Sequence, residues 1–481
     1  MIAALLPYAS WLHPGDNSWQ LTAATLVGLM SIPGLAVLYA GLAPKKWAVN
    51  IMTMAFVGFS AVLVVWVLWG FDMAFGSPIH LGSGLWGSFL GHPGLSTSAH
   101  AEQSQASIPL VDGLMPSFRF PQSALVYFQF VFAAITPLLF LGSVWGRMNL
   151  KAWLIFVPLW STVVYSLDAF LLWGGGFWAQ KGAVDFSGGY VIHLSAGISG
   201  FVAAAVIGPR LHRDREHERP HNLVYMAIGA GILWLGWNGF NGGDPYFAGA
   251  DAATAVLNTN IATAAALLTW LFMDMSSKRL NRKPTFGGAI NGMIVGLVAI
   301  TPAAGYVNGL GALALGIIAS FIVWWSFNVW SQKGLFRKVD DAFGVIHTHG
   351  VAGLAGGLLT GILADPHVIE YVGTGKTSSS SVTGLLYGHP GQLLLQLGAG
   401  LTVIAISAVG TFVILKLVGL VVPLRYPDEV LAVGDLAIHG EVVNPEDAGV
   451  EVLDEPTLID PALRDHDPHG ESEELRDLEL E

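Results

Sequence analysis

The chain of 481 residues has no cysteine, so neither a disulfide framework nor a cysteine-ligated metal is open to it. Charge is scarce as well: 12% of the residues are Asp, Glu, Lys or Arg, against roughly 25% in an ordinary soluble domain. The amino terminus has no basic n-region leading into a cleavage site, so no signal peptide is expected. What is present is apolar. Hydrophobic residues make up 53% of the chain, and the mean hydropathy is +0.58. Apolar runs of about 20 residues recur, the length that crosses a ~30 Å hydrocarbon core. A soluble chain exposing that many uncharged runs would aggregate. The composition therefore predicts an all-α integral membrane protein in a lipid bilayer.

The formal net charge of −12 is concentrated at one end. Residues 441–481 hold 15 acidic and 2 basic side chains, so the rest of the chain is close to neutral. This divides the protein into a membrane domain, 1–424, and a cytoplasmic tail, 425–481. Within the tail, 445–481 is rich in acid and poor in aromatics and is expected to be disordered.

Hydropathy predicts eleven transmembrane helices, at roughly 19–42, 49–75, 121–144, 150–174, 187–208, 221–241, 252–276, 286–303, 307–329, 343–364 and 391–421. Basic residues set their orientation. The loops after spans one, three, five, seven and nine hold 15 Lys and Arg, from Lys45 and Lys46 through Arg147, Arg210 and Arg219 to Lys338. The opposite loops hold 3, namely Arg119, Lys181 and Lys376. The bias places the N-terminus outside and the C-terminus in the cytoplasm. The outer loops 76–120 and 365–390 carry no readable motif, and the second is serine-rich and expected to be flexible.

One motif occurs twice. "DFSGGYVIHLSAGISG" begins at Asp185 and "DAFGVIHTHGVAGLAGG" at Asp341. At a constant offset of 156, Asp185 falls on Asp341, Gly188 on Gly344, His193 on His349 and Gly200 on Gly356. The first copy enters from outside and the second from inside, which predicts a five-plus-five inverted repeat of the kind found in transporters. Each His lies eight residues beyond its Asp, about 12 Å deeper at 1.5 Å per residue. Both histidines then sit near mid-bilayer, at the pseudo-two-fold axis. A His that merely bonds a neighbouring helix is one alternative, and a metal ligand is another, though no third ligand is evident. Intramembrane ionisable groups are costly and mark pathways. Burial favours the neutral imidazole, which donates at one nitrogen and accepts at the other. That suits a small polar solute or a relayed proton.

Aromatics gather at the outer end of the same axis. Phe128, Gln129 and Phe132 lie in span three, Trp173 ends span four, and Trp237, Phe240 and Asp244 lie toward the end of span six. An ordinary interfacial belt of aromatics is the competing reading. His347, two residues before His349, faces elsewhere on a helix and is read as structural.

These pieces together resemble the ammonium transporter (Amt/Mep/Rh) family, and more closely its Amt/Mep branch. "GLAVLYAGL", "FQFVFAAIT", "WGGG", "GWNGFNGG", "NTNIATAAA", "TPAAGYV", the two histidine motifs and "LAIHGE" carry the likeness from about residue 30 to about 445. The resemblance implies a transporter or channel for ammonium or ammonia, with methylammonium as an analogue, rather than an enzyme, and with no cofactor and no metal. It implies that Trp173, Phe128 and Phe132 line an outer recruitment site by cation–π attraction, and that Phe132 and Phe240 are paired rings closing the pore. It implies that Asp185 supports the vestibule without touching the cation, and that His193 and His349 are the twin histidines of the pore, beside Trp237. It further implies a homotrimer in the plasma or inner membrane, and for many members a cytoplasmic PII-type regulatory partner. Asp244 stands where the family usually has a serine. Its carboxylate is expected either to strengthen cation recruitment or to serve the Asp-Pro turn alone. The competing function is an ammonium sensor of the same fold with little or no flux.

Overall fold

The computed structural model describes residues 8–80, 88–112, 117–216, 220–368 and 381–444. The acidic stretch 445–481, Arg219, Lys376 and residues 369–380 of the serine-rich loop therefore lie outside the described residues.

The chain is a multi-pass helical membrane protein. Ten helical runs are long and apolar enough to cross a bilayer. They are α1 (Pro14–Leu42), α2 (Lys45–Phe75), α3 (Gln122–Val144), α4 (Leu150–Lys181), α5 (Gly189–Ile207), α6 (Leu223–Gly242) and α7 (Ala250–Ser276), then α9 (Gly309–Gln332), α10 (Ile346–Leu363) and α11 (Pro390–Val418). The eighth expected span is shorter. It forms α8, Phe286–Ile300, of 15 residues, about 22 Å at 1.5 Å per residue. Regular bonding stops before Pro302, and tight turns (Ala303 N–H to Ile300 C=O, Tyr306 N–H to Ala303 C=O) carry the chain onward.

α3 is the core of the bundle, buried almost throughout from Ala124 to Val144. It packs against α1, α2 and α5. α5 and α10 each begin with a π-helical turn that contains the motif histidine, Gly189–Leu194 and Ile346–Val351. The local reasons match. Gly188 and Gly344 both adopt positive φ, +109° and +69°, where a side chain would be strained. Asp185 Oδ2 then accepts from the N–H groups of Tyr190 and Val191, and Asp341 Oδ2 from Ile346 N–H, capping free donors at the helix starts.

The loop after α2 has structure of its own among the described residues. Pro78–His80 and Ser88–Gly91 pair as a short antiparallel ribbon. Further along, Phe118 and Phe120 are buried and stack at 5.3 Å, with Tyr246 against both.

At the other end, two of the basic residues that set the orientation bias are buried pegs. Arg147 is 0% exposed and donates to the carbonyls of Ser143, Trp145, Gly208 and Asp340. Arg210 is 3% exposed and grips Asp340 bidentately, Nε to Oδ2 at 3.0 Å and Nη2 to Oδ1 at 2.8 Å.

The proximal tail folds back onto this end. Two short helices, α12 (Asp428–Val433) and α13 (Asp435–His439), are joined at Gly434. Asp435 caps the start of the α-helical part of α2: its two oxygens accept from Val49 and Asn50 N–H, each at 2.8 Å. Lys46 bonds the Leu431 carbonyl and pairs with Asp214. The segment that contains "LAIHGE" thus rests on α2.

Burial raises the Asp340 carboxyl, but the hydrogen bonds and charge of Arg210, with Arg147, outweigh it and hold the group at about 2. A depressed carboxylate stabilises above its unfolded value and loses that contribution as pH falls through the folded value. Asp340→Asn is expected to cost about 2 kcal/mol at neutral pH. In detergent, the wild type should lose this margin between about pH 4 and pH 2, so the gap between the two thermal midpoints should close over that window, although Asp365, also held at about 2, titrates in both proteins. Equal midpoints for the two proteins at pH 7 would contradict the assignment.

Candidate functional site

α5 and α10 cross where no side chain intervenes. A Cβ on Gly197 would lie 2.3 Å from the Gly350 backbone, and one on Gly353 would lie 3.0 Å from Leu194 N and 2.4 Å from Gly189 O. The backbones can approach this closely only because these positions are glycine. The contact brings the two histidines together, Nδ1 to Nδ1 at 3.3 Å, with both side chains buried. Their rings lie 5.4 Å apart and 30° from parallel.

That geometry limits the protonation states. Two facing Nδ1 atoms share one proton, so one ring donates and the other accepts. The donor ring keeps an acceptor at Nε2, and the acceptor ring carries a donor at Nε2. The neutral pair therefore offers one donor and one acceptor, and the roles exchange only when the Nδ1 proton crosses while the acceptor ring gives up its Nε2 proton and the donor ring takes one at Nε2. His193 Nε2 has no partner among the described residues.

The predicted aromatics stack above His193 in sequence. The His193 ring lies over Trp237 at 5.2 Å and Phe240 at 5.8 Å. Trp237 is held by its indole N–H bond to Thr301 Oγ1 at 2.9 Å. Phe240 meets Phe132 at 4.4 Å, and Phe132 meets Trp173 edge-on at 6.2 Å. Phe128 packs on Phe132 at 4.8 Å. One continuous series of rings thus runs from Trp173 to the histidines.

Beyond the rings lies a cavity of about 160 Å³ lined by Trp173, Asp185, Asp244 and Tyr246, with Ile108 and Tyr306 among its other walls. Of the five residues expected at a recruitment site, Trp173, Asp185 and Asp244 line this cavity; Phe128 and Phe132 pack behind it. The Trp173 indole donates to the Asp185 carbonyl at 2.6 Å, fixing the ring. Burial raises the Asp185 carboxyl to about 6, although the N–H groups of residues 188–191 pull it down. Asp244 occupies the turn that Tyr246 N–H closes on the Gly243 carbonyl.

Tyr246 was not legible as a site residue. It adopts φ +62°, bonds Gln129 Nε2 through its hydroxyl at 2.9 Å and packs edge-on against Phe128. Its place two residues after Asp244, past an Asp-Pro turn, is the signal that could have found it. His347 points away from the pair: its Nδ1 meets Ser326 Oγ at 2.7 Å, and it lines a larger cavity of about 540 Å³ with Arg210, Asp340 and Phe343.

A multi-spanning bundle with two closely crossed helices, a buried histidine pair and an aromatic column has the architecture of a membrane channel or transporter. The model of the Ammonium Transporter Family matches residues 18–443, and the chain belongs to that family. It is 46% identical to Ammonium transporter 3 member 2 of Oryza sativa subsp. japonica, covering 90% of each chain. It is likewise 46% identical to Ammonium transporter 2 of Arabidopsis thaliana, over 90% of this chain and 88% of the relative. Its fold is similar to the crystal structure of Saccharomyces cerevisiae Mep2, with a TM-score of 0.73 at 28% identity over 87% of this chain and 92% of the other.

The crossing itself can be tested without a transport assay. Gly197→Ala adds a methyl group where the Gly350 backbone stands, so the helices must separate. The expected cost is about 1–3 kcal/mol, read as a lowered thermal midpoint in detergent, with Ser199→Ala as the milder comparison. A Gly197→Ala midpoint equal to wild type would show that the crossing has slack.

Proposed function

We propose that the protein is an ammonium transporter that recruits ammonium at the outer aromatic cavity, deprotonates it, and passes ammonia along the column to the twin histidines. Ammonium and potassium are similar monovalent cations, so size discriminates poorly between them. Ammonium can shed a proton and potassium cannot. A dry pore rejects whatever must remain charged, because desolvating an ion costs several kcal/mol. The neutral histidine pair then offers ammonia a donor and an acceptor, or relays the proton.

The observation that carries this reading is the 3.3 Å Nδ1 contact beneath the Trp173–Phe132–Phe240–Trp237 column. The reading includes eleven spans, with α8 and the turns after it as the eighth, an outer N-terminus and a cytoplasmic tail. The paired contacts of the two copies support a five-plus-five inverted repeat: residue 197 on 350 and 353 on 194, then Gly200 on Ser143 and Gly356 on Ala299. Residues 1–424 form the transport domain and 425–444 the regulatory segment. A homotrimer in the plasma or inner membrane, with a PII-type protein as a cytoplasmic partner, completes the proposal by family likeness.

The decisive measurement is ammonium-evoked current in proteoliposomes of the purified protein. Current is expected for the wild type, and binding without flux would favour a sensor instead. His193→Ala and His349→Ala are each expected to abolish selective current while the protein still assembles. Wild-type-like current with full potassium exclusion in both variants would overturn the histidine assignment.

Asp244 carries a second expectation. At about 4 Å and an effective dielectric of about 20, a carboxylate and a cation attract by about 4 kcal/mol before desolvation. Even about 1.4 kcal/mol remaining is tenfold in affinity. Asp244→Asn keeps a turn-forming side chain and removes the charge, so the half-saturating ammonium concentration should rise about tenfold. The half-saturating concentration in wild type should also rise as the outer pH falls below about 6, where Asp185 takes up its proton. An unchanged affinity in Asp244→Asn would leave the residue as a turn former only.

A further inference from the structure

A second polar feature lies inside the bundle, away from the aromatic column. Asp168, within α4, is 0% exposed. Its Oδ2 is 3.4 Å from Ser407 Oγ of α11, and Ser407 Oγ is 3.0 Å from Ser195 Oγ of α5. Its Oδ1 has no partner among the described residues. One helical turn further along both α5 and α11, Trp160 Nε1 divides its proton between Ser199 Oγ at 3.0 Å and Thr411 Oγ1 at 3.1 Å. Two rungs of hydroxyls therefore join α4, α5 and α11, and a carboxyl heads the first.

The elements packed against Asp168 bring few titratable groups. Tyr165 precedes it on α4, and Lys181 ends that run. Asp72 lies on α2, Asp185 leads into α5, and Tyr190 and His193 stand on its first turns. α11 presents Ser407 here; its lysine, Lys416, lies nine residues on. Among the described residues no Lys, Arg or His is within ion-pair distance of Asp168. An unpaired carboxylate in such surroundings is expensive.

We propose that Asp168 is a proton-binding site, occupied in the resting protein and exchangeable through Ser407 and Ser195. The hydroxyl geometry is what separates this from an inert buried acid. With the proton on Oδ2, Asp168 donates to Ser407 and Ser407 donates to Ser195. On release, Ser407 takes the Asp168 proton and passes its own to Ser195, which gives its own up to water, and the chain is left reversed: Ser195 donates to Ser407 and Ser407 to the carboxylate. No heavy atom need move, and Oδ2, Ser407 Oγ and Ser195 Oγ each keep a partner in both states. A bound metal cation fits less well, because one carboxylate and two hydroxyls fall short of the roughly six to eight oxygens a hard cation takes. Ser195 lies two residues beyond His193 on α5, so the occupancy of the site is felt at the helix that carries the pore histidine.

The link to flux rests on the transport reading; the site itself does not. The test uses the full chain in lipid vesicles and infrared absorption of the carboxylic-acid C=O stretch. At neutral pH the wild type should show an acid band that is lost in Asp168→Asn. The band should shift in deuterated water and move in Ser407→Ala, which retains the carboxyl but removes its partner. Raising the pH should bleach the band and reduce methylammonium flux together, and Asp168→Asn should lack that alkaline decline. No acid band at neutral pH in the wild type, a band indifferent to Ser407→Ala, or superimposable flux profiles for wild type and Asp168→Asn would each overturn the proposal. A band that grows only when sodium is withdrawn would assign the site to a cation instead. If the wild type moves no methylammonium at all, the transport reading fails while the infrared result still decides whether Asp168 binds a proton.

Discussion

Gly197 and Gly350 meet backbone to backbone, and this contact sets the spacing of two histidines that no direct tether joins. Bulk at either position would separate α5 from α10, and a 3.3 Å Nδ1 pair tolerates little separation before the shared proton has no acceptor. The aromatic column depends on the same contact. The His193 ring is the floor on which Trp237 and Phe240 stack, and Phe240 in turn positions Phe132. Glycine therefore acts here through what it leaves out. Close backbone packing is also how membrane helices associate where the lipid offers no hydrophobic drive between them.

The spans, the doubled motif and the histidine pair could be read from the chain because they follow local rules. Hydropathy marks a span, a fixed offset marks a repeat, and a His inside an apolar run marks a cost that something must repay. What escaped reading has no period. Tyr246 reaches the cavity from a turn, Ile108 from the loop between α2 and α3, and Phe118 with Phe120 support Tyr246 from a stretch without recognisable pattern. The eighth span was drawn through residue 303 because apolar composition continues past Ile300, while hydropathy is blind to the loss of regular bonding before Pro302. Asp168 drew no reading from the sequence, because its hydroxyl partners sit on α5 and α11, 27 and 239 residues away. Only folding brings them together.

Arg147 and Arg210 show one side chain answering to two constraints. As charges in the sequence they belong to the bias that orients spans, which acts on short loops near the membrane. In the fold they are almost wholly buried and bind the ends of α3, α5 and the segment before α10. These uses are compatible because a guanidinium carries five donors, enough to satisfy several helix-end carbonyls while its charge is met by Asp340. The tail segment adds to the same junction: Arg425 donates to the Pro209 carbonyl, and Tyr426 accepts from Leu150 N–H. Helix ends that would otherwise expose free carbonyls are thereby stitched into one plate, and the tail is part of it.

The bundle thus holds two kinds of buried polarity, and their physics differs. The histidine pair lies in a column of rings, where each imidazole is flanked by apolar faces and one proton is shared between two nitrogens. Adding a second proton there would create a cation among aromatic and aliphatic walls, so the pair works best as a neutral donor and acceptor. The Asp168 seam has a different composition: an acid backed by hydroxyls that can rotate. Its two states differ by a charge that the hydroxyls solvate in part. α5 faces both features, His193 toward one and Ser195 toward the other. Residues two apart on a helix point in widely different directions, which is how a single element can border the aromatic column and the hydroxyl seam without joining them.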